Sequence, residues 1–396
     1  MTTSAQQIRT YEGPALLSYG FRVFFLAGAA WAALTVALWL PVLTGALTLP
    51  AALSPIDWHV HELLFGFLPA IVAGFLLTAV PNWTGRLPVM GAPLLALFLV
   101  WAAGRIAVLI SQQIGVLTAA AIDLAFLVTL CAVIAREIIA GRNYRNLRVL
   151  LLVGLLLAAN AAFWIEAATV SGDGYGTRLG IAAAVLLISL IGGRIIPSFT
   201  HNWLARRASG RMPVTFNRFD ITTLLATAIA LAGWVAAPHA AASAGLLTLA
   251  GLMHVARLLR WAGERTIHEP IVLILHVGYA FIPLGFFLVA ASILTPHVIT
   301  TGGALHAWTA GAIGTMTLAV MTRASLGHTG RATVASQTTQ AIYVLVITAA
   351  LFRLAAALGI AYMPMLQLSA AAWVLAFGGF AVYYGRMLVR PRLKPV

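Results

Sequence analysis

An all-α membrane bundle of about twelve transmembrane helices is the fold this sequence predicts, and three observations predict it. The chain is 61% hydrophobic and only 9% charged, and its mean hydropathy is +0.97. Apolar runs of about 20 residues, the length that spans a bilayer as a helix, recur from end to end. Arginine gathers in alternate connections between those runs, as it does in a polytopic protein with a fixed orientation.

Residues 1–18 read as a polar tail, because "MTTSAQQIRTYEGPALL" has no short apolar core ahead of a small-residue cleavage site. A single twelve-helix domain follows over 19–390, and 391–396 form a second tail. The first two spans, near 19–42 and 58–80, lead to Arg86. Spans near 89–111 and 114–137 lead to Arg136, Arg142, Arg145 and Arg148. The next pair, near 147–170 and 178–200, leads to Arg206, Arg207, Arg211 and Arg218. Spans near 218–238 and 240–261 lead to Arg257, Arg260 and Arg265, and those near 270–294 and 303–323 to Arg323 and Arg331. The last two, near 337–360 and 364–388, precede Arg386, Arg390, Arg392 and Lys394. The opposite set of connections holds only Arg178, and the first tail carries Arg9, so both termini are expected in the cytoplasm. The net charge of +14 follows from this topology and from contact with anionic membrane lipid. No basic stretch sits in a soluble domain, so nucleic acid is not a partner. The lone Cys131 excludes an internal disulfide and argues against thiolate metal sites.

Orientation gives each histidine a depth. His59, His61 and His306 fall at the outer ends of spans 2 and 10; His254 and His276 lie in the inner part of spans 8 and 9, each 11 residues from Arg265. His201 and His328 end spans 6 and 10 at the inner surface. His306 and His328 are 22 residues apart, roughly 33 Å of helix, so one metal cannot hold both. At least two groups of histidines are therefore expected. A lone intramembrane histidine can simply bond a backbone carbonyl, but ionisable groups at that depth are functional by default. Imidazole without thiolate suits haem iron, copper or non-haem iron.

The stretch "DWHVHELLFGF" concentrates this chemistry. On a regular helix His59 and His61 point about 200° apart and cannot chelate one metal, whereas His59 and Glu62 share a face. "HELLFGF" from His61 and "HAWTAGA" from His306 both place glycine five residues on, at Gly66 and Gly311, and "TGR" follows at 84–86 and 329–331. The common offset of 245 makes spans 2 and 10 equivalent, and three four-helix units are the expected arrangement.

"WHVHELLFGF", "GFLLTAVPNWTGR", "GGRIIPSFT", "LHVGYAFIPLG" and "ALHAWTAGAIGTMTLAVMTRASLGHTGR" together resemble the hallmark segments of the NnrS family of haem- and copper-containing bacterial membrane proteins. The resemblance implies an inner-membrane protein of nitric oxide metabolism and nitrosative stress, frequent in denitrifying bacteria. It carries the histidine positions over to His59, His61, His201, His276, His306 and His328, with Glu62 and Arg331 in the same motifs. Twelve spans with outer histidines on spans 2 and 10 also look like the haem-copper oxidase architecture. The mid-membrane histidine of span 6 and the pair on span 7 that would build that family's copper site are not found.

Nitric oxide is neutral and partitions into lipid, so a membrane-embedded centre of haem b, with copper or non-haem iron, meets it directly. Coupling two molecules to nitrous oxide also needs electrons and protons. Asp123 and Glu166, carboxylates on spans 4 and 5, are candidate proton groups beside Glu62, with a structural ion pair as the alternative. Arg22, Arg105, Arg194 and Arg353 are their expected partners, and Arg194 is also expected to hold haem propionates. His61 and His306 are the expected core of an outer centre that His59 and Glu62 complete or flank; His254 and His276, on directly connected spans, suit a tighter inner site or the ligation of separate centres. Two functional classes follow: a nitric oxide reductase-like oxidoreductase fed by a quinol or another donor, and a non-catalytic haem protein that binds nitric oxide or handles metal. No glycine-rich dinucleotide fingerprint and no CxxCH haem attachment is present.

Overall fold

The computed structural model describes residues 11–169, 172, 174–207 and 209–393, so Arg9 and Lys394 lie outside it. Among the described residues, twelve helices are long and apolar enough to cross a membrane. They are α1 (Gly20–Leu43), α2 (Pro55–Thr84), α3 (Ala92–Leu109), α4 (Val116–Ala140), α5 (Tyr144–Thr169) and α6 (Tyr175–Leu204). The others are α7 (Arg218–Ala236), α8 (Ala241–Leu259), α9 (Pro270–Leu294), α10 (Thr301–His328), α11 (Gln337–Ala357) and α12 (Tyr362–Leu388). No described residue is in a strand. The protein is an all-α, multi-pass membrane bundle, and each helix falls on a predicted span.

Local chemistry sets the ends that matter. Ser54 caps α2: its hydroxyl accepts from the Asp57 N–H at 3.1 Å and donates to the Asp57 carboxylate at 2.6 Å, with Pro55 in the first turn. Asp57 therefore belongs to a helix start. Asn217 and Asp220 form a capping box at the start of α7.

Two helices are interrupted by wide π turns, at Glu62–Phe67 in α2 and at Ala307–Gly314 in α10. Each begins one residue after a histidine singled out by the repeat. The "TGR" ends also match: Thr84 and Thr329 donate back to the carbonyls of Val80 and Ser325, and Gly85 and Gly330 take φ of 68° and 78°. That left-handed turn after a helix suits glycine. Spans 2 and 10 thus share a histidine, a π turn and a cap, and π turns collect at functional sites.

Packing divides the chain into two compact units and not into three sets of four helices. One contains the described parts of Met1–Gly180, Ala324–Ala332 and Phe377–Val396; the other contains Ile181–Arg323 and Thr333–Ala376. In the first, α1 lies along α2, α3 along α4, and α4 along α5. Small residues permit the approach: a Cβ on Gly74 would stand 2.7 Å from the Phe25 ring. In the second unit α8 packs between α7 and α9, and the π turn of α10 lies against α9 and α11.

Candidate functional site

In the first unit, five helices send polar side chains to one buried centre. Arg105 of α3 donates through Nη1 to both oxygens of Glu62, at 2.8 and 2.7 Å, and through Nη2 to Asp123 of α4. Trp31 of α1 donates to Glu62 Oε2 at 2.6 Å. Asn160 and Trp164 of α5 donate to Asp123 Oδ2 at 2.8 and 3.0 Å. His61 lies between the two carboxylates, with Nδ1 3.2 Å from Glu62 Oε1 and Nε2 3.2 Å from Asp123 Oδ2. His61, Glu62, Asp123 and Arg105 are 0, 0, 2 and 4% exposed.

This network dictates the proton content of His61. Arginine N–H groups bonded to both carboxylates favour their ionised form, and an ionised carboxylate only accepts. Both ring nitrogens of His61 face such acceptors, so the ring is an imidazolium. The four charges then cancel, as burial in a low-dielectric interior requires. Gly66 makes room for the arrangement, since a Cβ there would collide with Arg105 Nη1 and stand 2.9 Å from Glu62 Oε2.

The second unit holds two further histidine chains. Arg257 Nε donates to Asp220 Oδ1 at 2.7 Å, and its Nη1 donates to the Tyr279 oxygen at 2.9 Å. Because arginine has no acceptor, the Tyr279 hydroxyl is left to donate to His254 Nδ1 at 2.8 Å. His254 Nε2 then donates to Thr227 at 2.9 Å, and Thr227 to the Thr223 carbonyl at 2.7 Å. His254 is thus neutral, with both nitrogens used. Thr200 donates to the Ile196 carbonyl at 2.9 Å, so its oxygen accepts from His276 Nε2 at 2.8 Å. His276 Nδ1 keeps its lone pair, is buried, and has no partner. It fronts Gly263, where a Cβ would stand 2.6 Å away. Outside the spans, hydrogen bonding to Arg211 holds the Glu264 carboxyl below the ordinary carboxylate range, and burial pushes Glu269 above it.

The other predicted residues sit as follows. His59 stacks on Trp39 with ring centroids 4.1 Å apart, so it and Glu62 address different neighbours. His306 Nδ1 donates to the Gly302 carbonyl at 2.8 Å, which makes Nε2 the basic nitrogen. His201 is exposed, and the half-buried ring of His328 lies 5.4 Å from Phe21 and 6.4 Å from Tyr19. Glu166 accepts from the Tyr175 and Gly176 N–H groups at 2.6 and 3.0 Å, tying α5 to the start of α6. Among the four arginines, Arg105 pairs with Asp123, while Arg22 donates to the Leu388 and Arg390 carbonyls at 2.7 Å each. Arg194 is exposed, its guanidinium carbon 5.9 Å from the Phe216 ring. Arg257, which charge counting assigns to a loop, is 0% exposed inside α8. His254 and His276 share no bond; Trp261 stands between, 6.5 Å from His276 and 4.7 Å from Tyr279.

Sequence reasoning missed Asn160, Trp164, Trp31, Tyr279 and Thr200. Neutral donors carry no signal against an apolar background. Asp220 had one, since Asn-x-x-Asp ahead of an apolar run marks a capping box.

A profile of the family described as NnrS protein matches residues 15–392. The chain belongs to the NnrS family. Its members are membrane proteins of the nitric oxide response, and the match covers both π-turn helices and every histidine discussed above. No curated protein matches the chain. The family is associated with haem and copper, which makes the state of each NnrS histidine decisive. Metal ligation needs a nitrogen lone pair, ideally with the other ring nitrogen donating to an oxygen. His306 shares with His276 a ring nitrogen that donates to an oxygen, and His276 through Nδ1 has the whole arrangement. His61 and His254 do not, and ligation by either, the expectation from sequence, requires its network to break. Among the described residues no three His, Cys, Asp or Glu side chains converge as a metal-holding group.

Proposed function

We propose that this NnrS protein is an inner-membrane oxidoreductase of the nitric oxide reductase type, carrying haem b with copper or non-haem iron. Its electrons come from a quinol or another donor. The buried Glu62–His61–Asp123 centre carries the reading. Reduction of two nitric oxide molecules to nitrous oxide and water takes up two electrons and two protons, and a protonated imidazole between two carboxylates is a proton source placed where bulk water is excluded. Arg105, bonded to both carboxylates, keeps them ionised when the His61 proton leaves. Asn160 and Trp164 hold Asp123 in place. His306 and His276 are the residues that would hold the metal groups, which when bound supply the site where nitric oxide is taken up and reduced.

A second reading, a haem protein that binds nitric oxide or handles metal without turnover, is favoured by the ion pairing of both carboxylates of the same centre with Arg105, since a purely structural ion network is paired in this way too. Steady-state nitric oxide consumption by purified protein supplied with a reduced quinol, with haem and metal counted in the same sample, separates the two. Loss of turnover in His61→Gln at unchanged haem content supports the first. Absence of turnover in loaded wild-type protein supports the second.

A further inference from the structure

The second "TGR" poses a problem that the first solves. Arg86, in the first copy, donates to Glu137 at 2.6 Å. Among the described residues Arg331, its equivalent at the offset of 245, bonds the Thr329 carbonyl at 3.5 Å and no carboxylate. Its surroundings add more positive charge. The segment after α12 is pinned over the same turn: the Leu393 N–H donates to the Thr329 carbonyl at 3.0 Å, and a Cβ on Gly330 would stand 2.8 Å from the Leu393 oxygen and 3.6 Å from Arg392 Nε. Arg22, 3% exposed, reaches the same segment through its bond to the Arg390 carbonyl, and its Nε is buried without a partner. Burial pushes the Tyr19 phenol up, and the charges of Arg392 and Arg22 pull it back down. Among the described residues none of these three arginines makes an ion pair with a carboxylate, although the other buried arginines of the two charge centres do.

We infer that Arg331, Arg392 and Arg22 form a binding site for the phosphate group of an anionic phospholipid. Three guanidinium groups brought together by backbone bonds repel one another, and an anion offsets that repulsion where no side chain does. Planar guanidinium groups match phosphate oxygens in pairs. The site lies at the ends of α10 and α12, on the side that arginine bias assigns to the cytoplasm, whose leaflet is anionic. The same charges turn away a metal cation, so His328 beside them acts as a ring packed on Tyr19 and Phe21 and not as a ligand. The phosphate has a second conceivable source, free inorganic phosphate.

The test uses full-length protein purified in detergent, with phosphatidylglycerol, phosphatidylcholine or inorganic phosphate as probes. Native mass spectrometry counts retained lipid, and thermal midpoints report protection. Wild-type protein is expected to retain one phosphatidylglycerol and to be protected by it but not by phosphatidylcholine. Arg331→Gln and Arg392→Gln should each weaken retention about five-fold, the effect of one basic side chain at an anionic surface. Arg331→Lys should recover part of it. Arg145→Gln, which removes an exposed arginine elsewhere, should retain lipid as the wild type does. Arg392 is itself exposed, so its replacement tests the site even if the Arg331 variant folds poorly. Equal retention in Arg392→Gln and Arg145→Gln overturns the site. Equal protection by inorganic phosphate and by phosphatidylglycerol overturns the lipid as its occupant.

Discussion

Replacing Arg105 by glutamine should be the most damaging single change in the first unit. The guanidinium contributes three charge-assisted hydrogen bonds, two to Glu62 and one to Asp123, and is 4% exposed. Its loss leaves two carboxylates facing one imidazolium, a net charge of minus one in a water-excluded site. Breaking a buried pair from one side costs about 3–5 kcal/mol. For a cooperative unit of about 200 residues this lowers the thermal midpoint by roughly 6–20 °C. The mechanism predicts more than damage. Glu62→Gln added to Arg105→Gln restores electroneutrality, with His61 and Asp123 remaining, so the double variant should be more stable than Arg105→Gln alone by about 1 kcal/mol or more. The assay is fluorescence-monitored unfolding of the two single variants and the double variant in one detergent. Strict additivity of the two losses would refute the charge-balance argument and with it the assignment of His61 as an imidazolium.

The histidines should separate by spectrum: His306→Ala and His276→Ala each remove an absorption feature or metal per chain, whereas His254→Phe and His61→Gln leave haem content unchanged, measured by pyridine haemochrome and metal analysis. Glu264 is held below its ordinary range, so the stability it adds is present at neutral pH and lost as pH falls past the ordinary glutamate value and through its lower folded one. Both partners are more than half exposed, which limits that gain to about 0.5 kcal/mol, and Glu264→Gln should match wild type once the solution is that acidic. Glu269 is shifted the other way, so its ionisation opposes folding as pH rises, and Glu269→Gln should raise the thermal midpoint at pH 8 but not at pH 4. Topology reporters at residues 140–145 and 207–212 should read cytoplasmic and at 172–176 periplasmic, and the opposite pattern would reverse every depth assigned from arginine bias.

What could be read without coordinates was what depends on local composition and period. Twelve spans are legible because each bilayer crossing needs about 20 apolar residues, whatever it packs against. The equivalence of spans 2 and 10 is legible for a similar reason: His61, Gly66 and Thr84–Arg86 recur at a fixed offset as His306, Gly311 and Thr329–Arg331, and the π turns and glycine caps are local answers to local sequence. The role of each histidine was not legible. A one-letter code records that His61 can bind a metal, but Asp123 and Arg105 are 62 and 44 positions away, and only packing shows that Asp123 and Glu62 face its two nitrogens while Arg105 holds both carboxylates. His276 differs from His254 through Thr200 and Gly263, residues with no charge and no motif. Arg257 looks like any loop arginine until α8 buries it against Asp220. Sequence alone determined the helices, their order and which residues carry chemistry, because hydrophobic length and charge act along the chain. The tertiary structure decided which of those groups keep a free lone pair or an uncompensated charge, because hydrogen bonds and ion pairs are made between helices.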